Sequence, residues 1–347
     1  MPILECILID ATHDKIKLTA NDMELGIETI IEGDIEEKGM VAINARTLGE
    51  IVRKLPDSRI YISTMAVNEA IETSIVCGNA NFDIISQPGD EFAYLPYIKK
   101  EDPLVISQYT LKEMISQTIF SISATDNNKL MTGELFEVRM NALRIISLDG
   151  HRISMRKEYL RDEYPDLRVV VPGKTLQEVS KILPGDAKEE VEIYFTDNHI
   201  VFIFNNTMVV SRLIEGEYFK VDQMISSDYE TKVVINRREL LDCIDRATLL
   251  IREADRKPVI INIEDGRMSL QIKSQLGQMN EIIDIEKTGR DLMIGFNPRF
   301  LIDILKATDE EFVTLYLMNP KSPCIMKDED ETYIYLVLPV SFSQAAR

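Results

Sequence analysis

One stretch of this sequence occurs three times in altered form, and that limits what the chain can become. Val169–Pro184 reads VVVPGKTLQEVSKILP, Val41–Pro56 reads VAINARTLGEIVRKLP, and from Ile294 the chain reads IGFNPRFLIDILKATD. When the copies are aligned, Arg46, Lys174 and Arg299 correspond, as do Leu48, Leu176 and Leu301. So do Glu50, Glu178 and Asp303; Ile51, Val179 and Ile304; and Arg53, Lys181 and Lys306. The copies lie much farther apart than the ~20–50 residues of a solenoid repeat, which implies a triplicated domain rather than a stacked array.

Each copy reads as an extended apolar run, a short punctuation and about three turns of helix. Asn44 and Asn297 suit N-caps, and Pro172 and Pro298 suit a helix start. The leucine and the β-branched residue three positions later share one face, which predicts its burial. The two basic residues of each copy stand two turns apart and share another face. An acidic residue between them makes an ordinary solvated pair pattern worth only tenths of a kcal/mol. Recurrence of both cations in all three copies favours a functional stripe, and both readings stay open at this point.

A chain of 347 residues suits two or three domains, and the repeat selects three. The predicted class is α+β, with boundaries at 1–102, 103–228 and 229–347. In the first domain the pattern predicts strands at Leu4–Ile9, Lys15–Thr19, Gly26–Ile31, Ile60–Thr64, Ile71–Cys77 and Asn81–Ser86, with one helix over Thr47–Leu55. The second carries strand Leu104–Ser107 and a helix capped by Thr110, with Glu113 completing a capping box. The Lys174 helix lies among strands Glu134–Arg139, Arg144–Ser147, Val191–Phe195, Ile200–Phe204 and Met208–Leu213. The third has Val233–Asn236, a helix over Arg238–Leu250, strands Val259–Glu264, Ser269–Ser274 and Asn280–Ile285, the Arg299 helix, then Phe312–Met318, Cys324–Lys327 and Tyr333–Val340. Domains two and three thus hold two strand–helix units and domain one only the second, so its first strand and helix are expected to be missing.

Four scattered cysteines with no CxxC pair point to neither a disulfide framework nor a zinc site and fit a reducing, cytoplasmic setting. No membrane span or leader is apparent. With 39 basic against 58 acidic residues, the net charge of −19 argues against a generally adhesive nucleic-acid binder. It still permits one whose cations are confined to a single surface.

No GxGxxG, GxxxxGK[ST], HExxH or GxSxG motif is present, and His13 and His199 read as loop residues, so no enzyme, metal or cofactor is expected. The polar cluster that remains is Leu148-Asp149-Gly150-His151-Arg152-Ile153. It reads either as a simple Asp-Gly turn between strands or as a turn projecting His151 and Arg152 at the rim of a docked peptide.

Met131–Ser154 (MTGELFEVRMNALRIISLDGHRIS), Tyr335–Val340 (YLVLPV) and Phe92–Pro96 (FAYLP) resemble the bacterial DNA sliding clamp, the DNA polymerase III beta subunit, over the whole chain. The resemblance implies a head-to-tail homodimer of three-domain protomers, a six-domain ring with helices inside and sheets outside, closed around duplex DNA. It also implies a cleft for short motifs carried by the replicative polymerase, the clamp loader and other replication and repair proteins. The cleft would comprise Met131, Leu148, Gly150, His151, Arg152, Ile153, Phe219, Met224, Asn297, Phe300, Ser322, Leu336, Leu338, Pro339 and Val340. Phe219 stands where that family usually has proline, and Ser341 where it often has a basic residue. The family also usually begins with a strand and helix ahead of the Pro2–Glu5 segment.

The expected function is therefore a non-enzymatic, sequence-independent tether. Candidate DNA-facing residues are Arg46, Arg53, Lys112, Lys129, Lys174, Lys181, Arg237, Arg238, Arg299 and Lys306. Candidate dimer contacts are Phe82 and Ile84 with Leu249, Leu250 and Ile251, which could equally be core. The rival readings are a monomeric peptide-binding scaffold of repeated α+β domains and, more weakly, an enzyme of unrecognised type.

Overall fold

The computed structural model describes residues 2–67, 70–125, 127–251 and 257–342. A 3-10 turn at Pro2–Glu5 precedes strands β1 (Cys6–Asp10), β2 (Ile16–Asn21), β3 (Leu25–Ile31) and β4 (Met40–Asn44), helix α1 (Ala45–Val52), and strands β5 (Ile60–Val67), β6 (Ala70–Cys77) and β7 (Ala80–Pro88). Next come β8 (Leu104–Ser107), α2 (Gln108–Ser116), the long strands β9 (Gly133–Leu148) and β10 (Arg152–Pro172), α3 (Gly173–Ile182), β11 (Glu190–Phe195), β12 (His199–Phe204) and β13 (Thr207–Arg212). The remainder is β14 (Thr231–Asn236), α4 (Arg237–Thr248), β15 (Val259–Glu264), β16 (Arg267–Lys273), β17 (Gln278–Asp284), β18 (Glu286–Gly289), β19 (Leu292–Phe296), α5 (Pro298–Ala307), β20 (Phe312–Leu317), β21 (Cys324–Lys327) and β22 (Tyr333–Val337).

The helices α1, α3 and α5 occupy the three repeat copies. Each buries the matched apolar pair: Leu48 and Ile51, Leu176 and Val179, Leu301 and Ile304. Asn44, Asn236 and Asn297 accept from the first helical amides of α1, α4 and α5, which satisfies donors the helix leaves orphaned. Pro172 makes no such side-chain bond ahead of α3.

The chain forms two compact units, one of residues up to Gln108 with Asp186–Leu213, the other of Tyr109–Gly185 with Ile214 onward. In the first unit eleven antiparallel strands run in the order β5-β6-β7-β4-β1-β2-β3-β13-β12-β11-β8. The β3–β13 pairing, from Leu25 opposite Ser211 to Thr29 opposite Thr207, makes the sheet continuous across a sequence-domain boundary. Val41, Ile43, Leu48, Ile51 and Ile75 form the core beneath α1. The second unit has a seven-stranded sheet, β18-β14-β20-β21-β22-β10-β9, and a four-stranded one, β17-β16-β15-β19. One core of this unit collects Leu240, Ile244, Ile261, Phe296, Leu301 and Leu305 around α4 and α5.

Several sequence expectations shift. The first strand starts at Cys6 because Pro2–Glu5 forms a 3-10 turn. Thr110 lies inside α2 rather than capping it, because the helix begins at the buried Gln108, whose amide donates to Asn205 Oδ1 at 3.1 Å. The strands expected at Glu134–Arg139 and Arg144–Ser147 merge into β9, and most of β10 was not anticipated, because its Glu158–Asp166 portion is polar and largely exposed. The short polar β18 was also not anticipated, and the last strand ends at Val337 rather than Val340.

Glu134, on β9, is fully buried and neither carboxylate oxygen has a hydrogen-bond partner among the described residues. Burial pushes its carboxyl from 4.5 up to about 8. Between those two values the folded chain holds a proton that the unfolded chain releases, so stability falls as pH rises through the window. Glu134→Gln removes this titration. Its melting temperature should match the parent near pH 5 and exceed it near pH 8, with a stability gap growing by about 1.4 kcal/mol per pH unit.

Candidate functional site

The strands β9 and β10 meet at the Asp149-Gly150 turn, where Gly150 takes φ +86°, a conformation that costs glycine little. Asp149 Oδ1 accepts from the amides of His151 (2.9 Å) and Arg152 (3.2 Å), closing the turn on its own side chain. β22 pairs with β10, Ile153 lying opposite Leu336, and the Leu338 amide then donates to the His151 carbonyl at 2.8 Å. Two residues on, the Val340 amide donates to the Gly295 carbonyl at 2.8 Å. A Cβ on Gly295 would lie 2.7 Å from the Phe342 ring, so the bare backbone of β19 is what lets this tail lie close.

Leu148, Ile153 and Leu336 belong to one buried cluster, against which Met131 and Phe219 pack. His151 is exposed and stacks on the half-buried Phe300, with centroids 6.2 Å apart. Leu338 is exposed, and Pro339 and Val340 are half-buried, so an apolar surface with a few polar groups lies along the chain end. Met224, exposed, ends the short turn Val221–Gln223, whose Val221 is in the same cluster. Asn297 spends its side-chain oxygen on the Arg299 amide. Ser322 sits in the Asn319 turn ahead of β21, and its amide donates to Asn319 Oδ1.

Arg152 differs from the rim position expected of it. It is only 9% exposed, because every part of its guanidinium has a partner within the fold. It donates to Asp149 Oδ2 (3.0 Å), Asp303 Oδ2 (2.6 Å) and the Phe120 carbonyl, and it lies over the Phe300 ring at 4.5 Å from the centroid. Arg152 thus ties the turn to α5 and to the 3-10 turn Ile119–Ser121. Asp303 and Phe120 were not singled out in the sequence, although Asp303 is the repeat's third acidic residue.

The candidate DNA-facing cations divide into two groups. Arg46, Arg53, Lys174, Lys181, Arg299 and Lys306 are exposed, on the helix faces away from the buried leucines. Arg46 pairs with Glu50 at 3.0 Å and Lys181 with Glu178 at 2.8 Å, the solvated pairs expected of an ordinary helix surface. Arg53 Nε donates to the Gly49 carbonyl. In α5 the matching carboxylate is drawn to Arg152, and among the described residues no ion pair engages Arg299 or Lys306. Lys129 and Arg238 are exposed. Lys112 and Arg237 are instead drawn inward: Lys112 Nζ donates to the Leu183 carbonyl after α3 (2.8 Å), and Arg237 to the carbonyls of Leu305 and Glu310 (both 2.9 Å).

Of the candidate dimer contacts, Phe82 is exposed while Ile84 packs on the α1 core. Leu249 is 77% exposed just beyond α4, and Leu250 and Ile251 are half-buried. β5 is exposed along its whole length at the sheet edge, with Tyr61 and Met65 outward, and Ile85 is exposed on β7. Among the described residues no helix is long and apolar enough to cross a membrane, and no cluster suited to a metal ion is found.

Replacing Arg152 by alanine leaves Asp149 and Asp303 without their shared cation and should lower stability by about 3 kcal/mol in denaturant melts. Lysine should not restore it, since a single ammonium cannot reach three acceptors in the guanidinium's planar geometry.

Three family descriptions match the chain: the N-terminal domain of the DNA polymerase III beta subunit over residues 1–96, its central domain over 105–220 and its C-terminal domain over 222–341. The beta sliding clamp of Staphylococcus epidermidis is 32% identical over 355 residues, covering 98% of this chain and 92% of the relative. A solved structure of a putative DNA polymerase III beta subunit from Eubacterium rectale is 62% identical with a TM-score of 0.94, covering 99% of this chain and 93% of that one. The sliding clamp of Bacillus subtilis is 32% identical with a TM-score of 0.92, at the same coverage. With all three domains matched in order, the chain belongs to the DNA polymerase III beta subunit family, the beta sliding clamps.

Proposed function

We propose that this chain is a non-enzymatic processivity factor that pairs head to tail with a second copy, closes a ring around duplex DNA and slides on it. In this reading it tethers the replicative polymerase, the clamp loader and repair proteins through short motifs seated in the cleft from Met131 to Val340. The domain boundaries proposed are 1–102, 103–228 and 229–347. The observation that carries the reading is the thrice-repeated helix that buries a leucine and a β-branched residue and exposes two matched cations. Such cations contact phosphates without reading bases, which gives salt-dependent, mobile binding. The overall charge of −19 keeps DNA from adhering elsewhere. The apolar face of β5 and β7 and the exposed Leu249 supply surfaces of the kind that self-association covers.

Sedimentation and retention on circular DNA test the ring. A dimer that stays on nicked circles and slides off when they are linearised supports it; a persistent monomer without retention favours a peptide-binding scaffold. Ile85→Asp should shift the species toward monomer and abolish retention. Arg299→Gln with Lys306→Gln should flatten the salt dependence of DNA binding, by about one unit of log–log slope for each phosphate no longer neutralised. For the cleft, His151→Ala or deletion of Leu338–Val340 should weaken a clamp-motif peptide at least ~tenfold. Unchanged affinity in both would remove the cleft from the assignment.

A further inference from the structure

Three arginines converge on one buried carboxylate in the β9–β10 hairpin. Glu137 is 1% exposed, and its Oε1 accepts from Arg139 Nη2 (2.9 Å) and Arg168 Nη1 (2.8 Å), while its Oε2 accepts from Arg144 Nε (2.7 Å). Arg144 also donates through Nη1 and Nη2 to Asp222 (2.9 and 3.2 Å), so all of its nitrogens are engaged. Arg144 holds the Asp222 carboxyl below its ordinary range. In a regular strand, positions 137 and 144 would point to opposite faces. The break at Met140, with φ +54°, and the register shifts between Tyr159, Tyr164 and Leu167 bring them to one face.

Three guanidiniums here face two carboxylates, so the cluster is a positive surface on a strongly negative chain. Arg139 and Arg168 are 57% and 45% exposed and share one acceptor oxygen, which holds two like charges side by side. Among the described residues each spends a single nitrogen, leaving the other N–H groups toward solvent. The cluster adjoins the candidate cleft. Arg144 Nη1 lies 3.8 Å from Met155 Sδ, Met155 packs with Leu148, Ile153 and Leu336, and Asp222 lies two residues before Met224. Ser147 and Ser154, which point to the other face of this hairpin, bond to Thr118 and Ser121, so the arginines lie opposite the α2 side. That face of the hairpin also carries Leu148 and Ile153 of the candidate cleft, and it is not one of the helix faces expected to meet DNA.

We propose that Arg139 and Arg168, set side by side by Glu137, extend the cleft with an anion site that takes a glutamate or aspartate flanking a partner peptide's apolar anchors. The inference rests on the cleft reading above. The 347-residue chain is titrated calorimetrically with short peptides sharing a Leu-Phe anchor, flanked on one side or the other by Glu-Glu or by Gln-Gln. For one of the two flanks, the glutamate form should bind about fivefold to tenfold tighter at low salt, with the advantage shrinking as salt is added. Arg139→Gln with Arg168→Gln should erase the advantage and leave the glutamine peptide's affinity as it was, which also reports an intact fold. Should that double variant lose both peptides, the single Arg139→Gln change, at the more exposed residue, must still reduce the advantage. Equal affinities in the parent, or a preference that survives either variant, overturn the site while leaving the cleft in place. If neither peptide binds the parent, the cleft reading fails and the site goes with it. Loss of duplex retention in the double variant with peptide preference unchanged would reassign the arginines to DNA and likewise overturn the proposal.

Discussion

Antiparallel pairing between strands of different sequence domains underlies the rest of this structure. β3 accepts β13 as its neighbour, and β10 accepts β22, so backbone hydrogen bonds that would otherwise end at an open sheet edge are satisfied by the next repeat. The second pairing also builds the candidate cleft. It sets Leu336 opposite Ile153 and delivers Leu338 to the His151 carbonyl, so the chain end and the Asp-Gly turn form one surface. Because these ladders cross the repeat boundaries, the compact units do not coincide with the three repeats.

The repeat also shows how one helix design is put to different uses. Glu50 and Glu178 stay on the helix surface with a cation of their own helix. Asp303, at the matching position, turns its side chain to Arg152, and among the described residues no ion pair engages Arg299 or Lys306. A surface pair of the first kind adds only tenths of a kcal/mol. The contact made by Asp303 is of another kind, since it helps compensate a guanidinium that has left water. The polar turn of the cleft and the cationic face of α5 are thereby joined through a single side chain.

Much of the architecture was readable in the chain itself. Five helices, their buried leucines and the Asn caps at 44 and 297 follow from 3.6-residue periodicity and local capping chemistry, both of which act within a few residues. Most strands were readable from two-residue alternation or short apolar runs. The misreadings cluster where local signals are weak or contradictory: the polar, exposed middle of β10, the short β18, and a Thr110 capping pattern overridden by the buried Gln108. Of the candidate site, the Leu148–Ile153 turn and the chain end could be picked out individually. Sequence spacing did not reveal the inward course of Arg152, which depends on partners from other elements, or the convergence of three arginines on Glu137, which depends on the break at Met140 and on Arg168 of the paired strand.

The sequence by itself determined a triplicated α+β chain, three helices with one apolar and one cationic face, and membership of a clamp family. The triplication and the two helix faces are written in periodicity and matched residue types, and the family in the motifs Phe92–Pro96, Met131–Ser154 and Tyr335–Val340. Only the tertiary structure decided which charges are free and which are spent, as Arg152, Lys112 and Arg237 turn inward while Arg299 and Lys306 stay outside. The physical reason is that a charged group's fate depends on its solvent exposure and on the partners within hydrogen-bond reach, and both are set by strand pairing between distant residues.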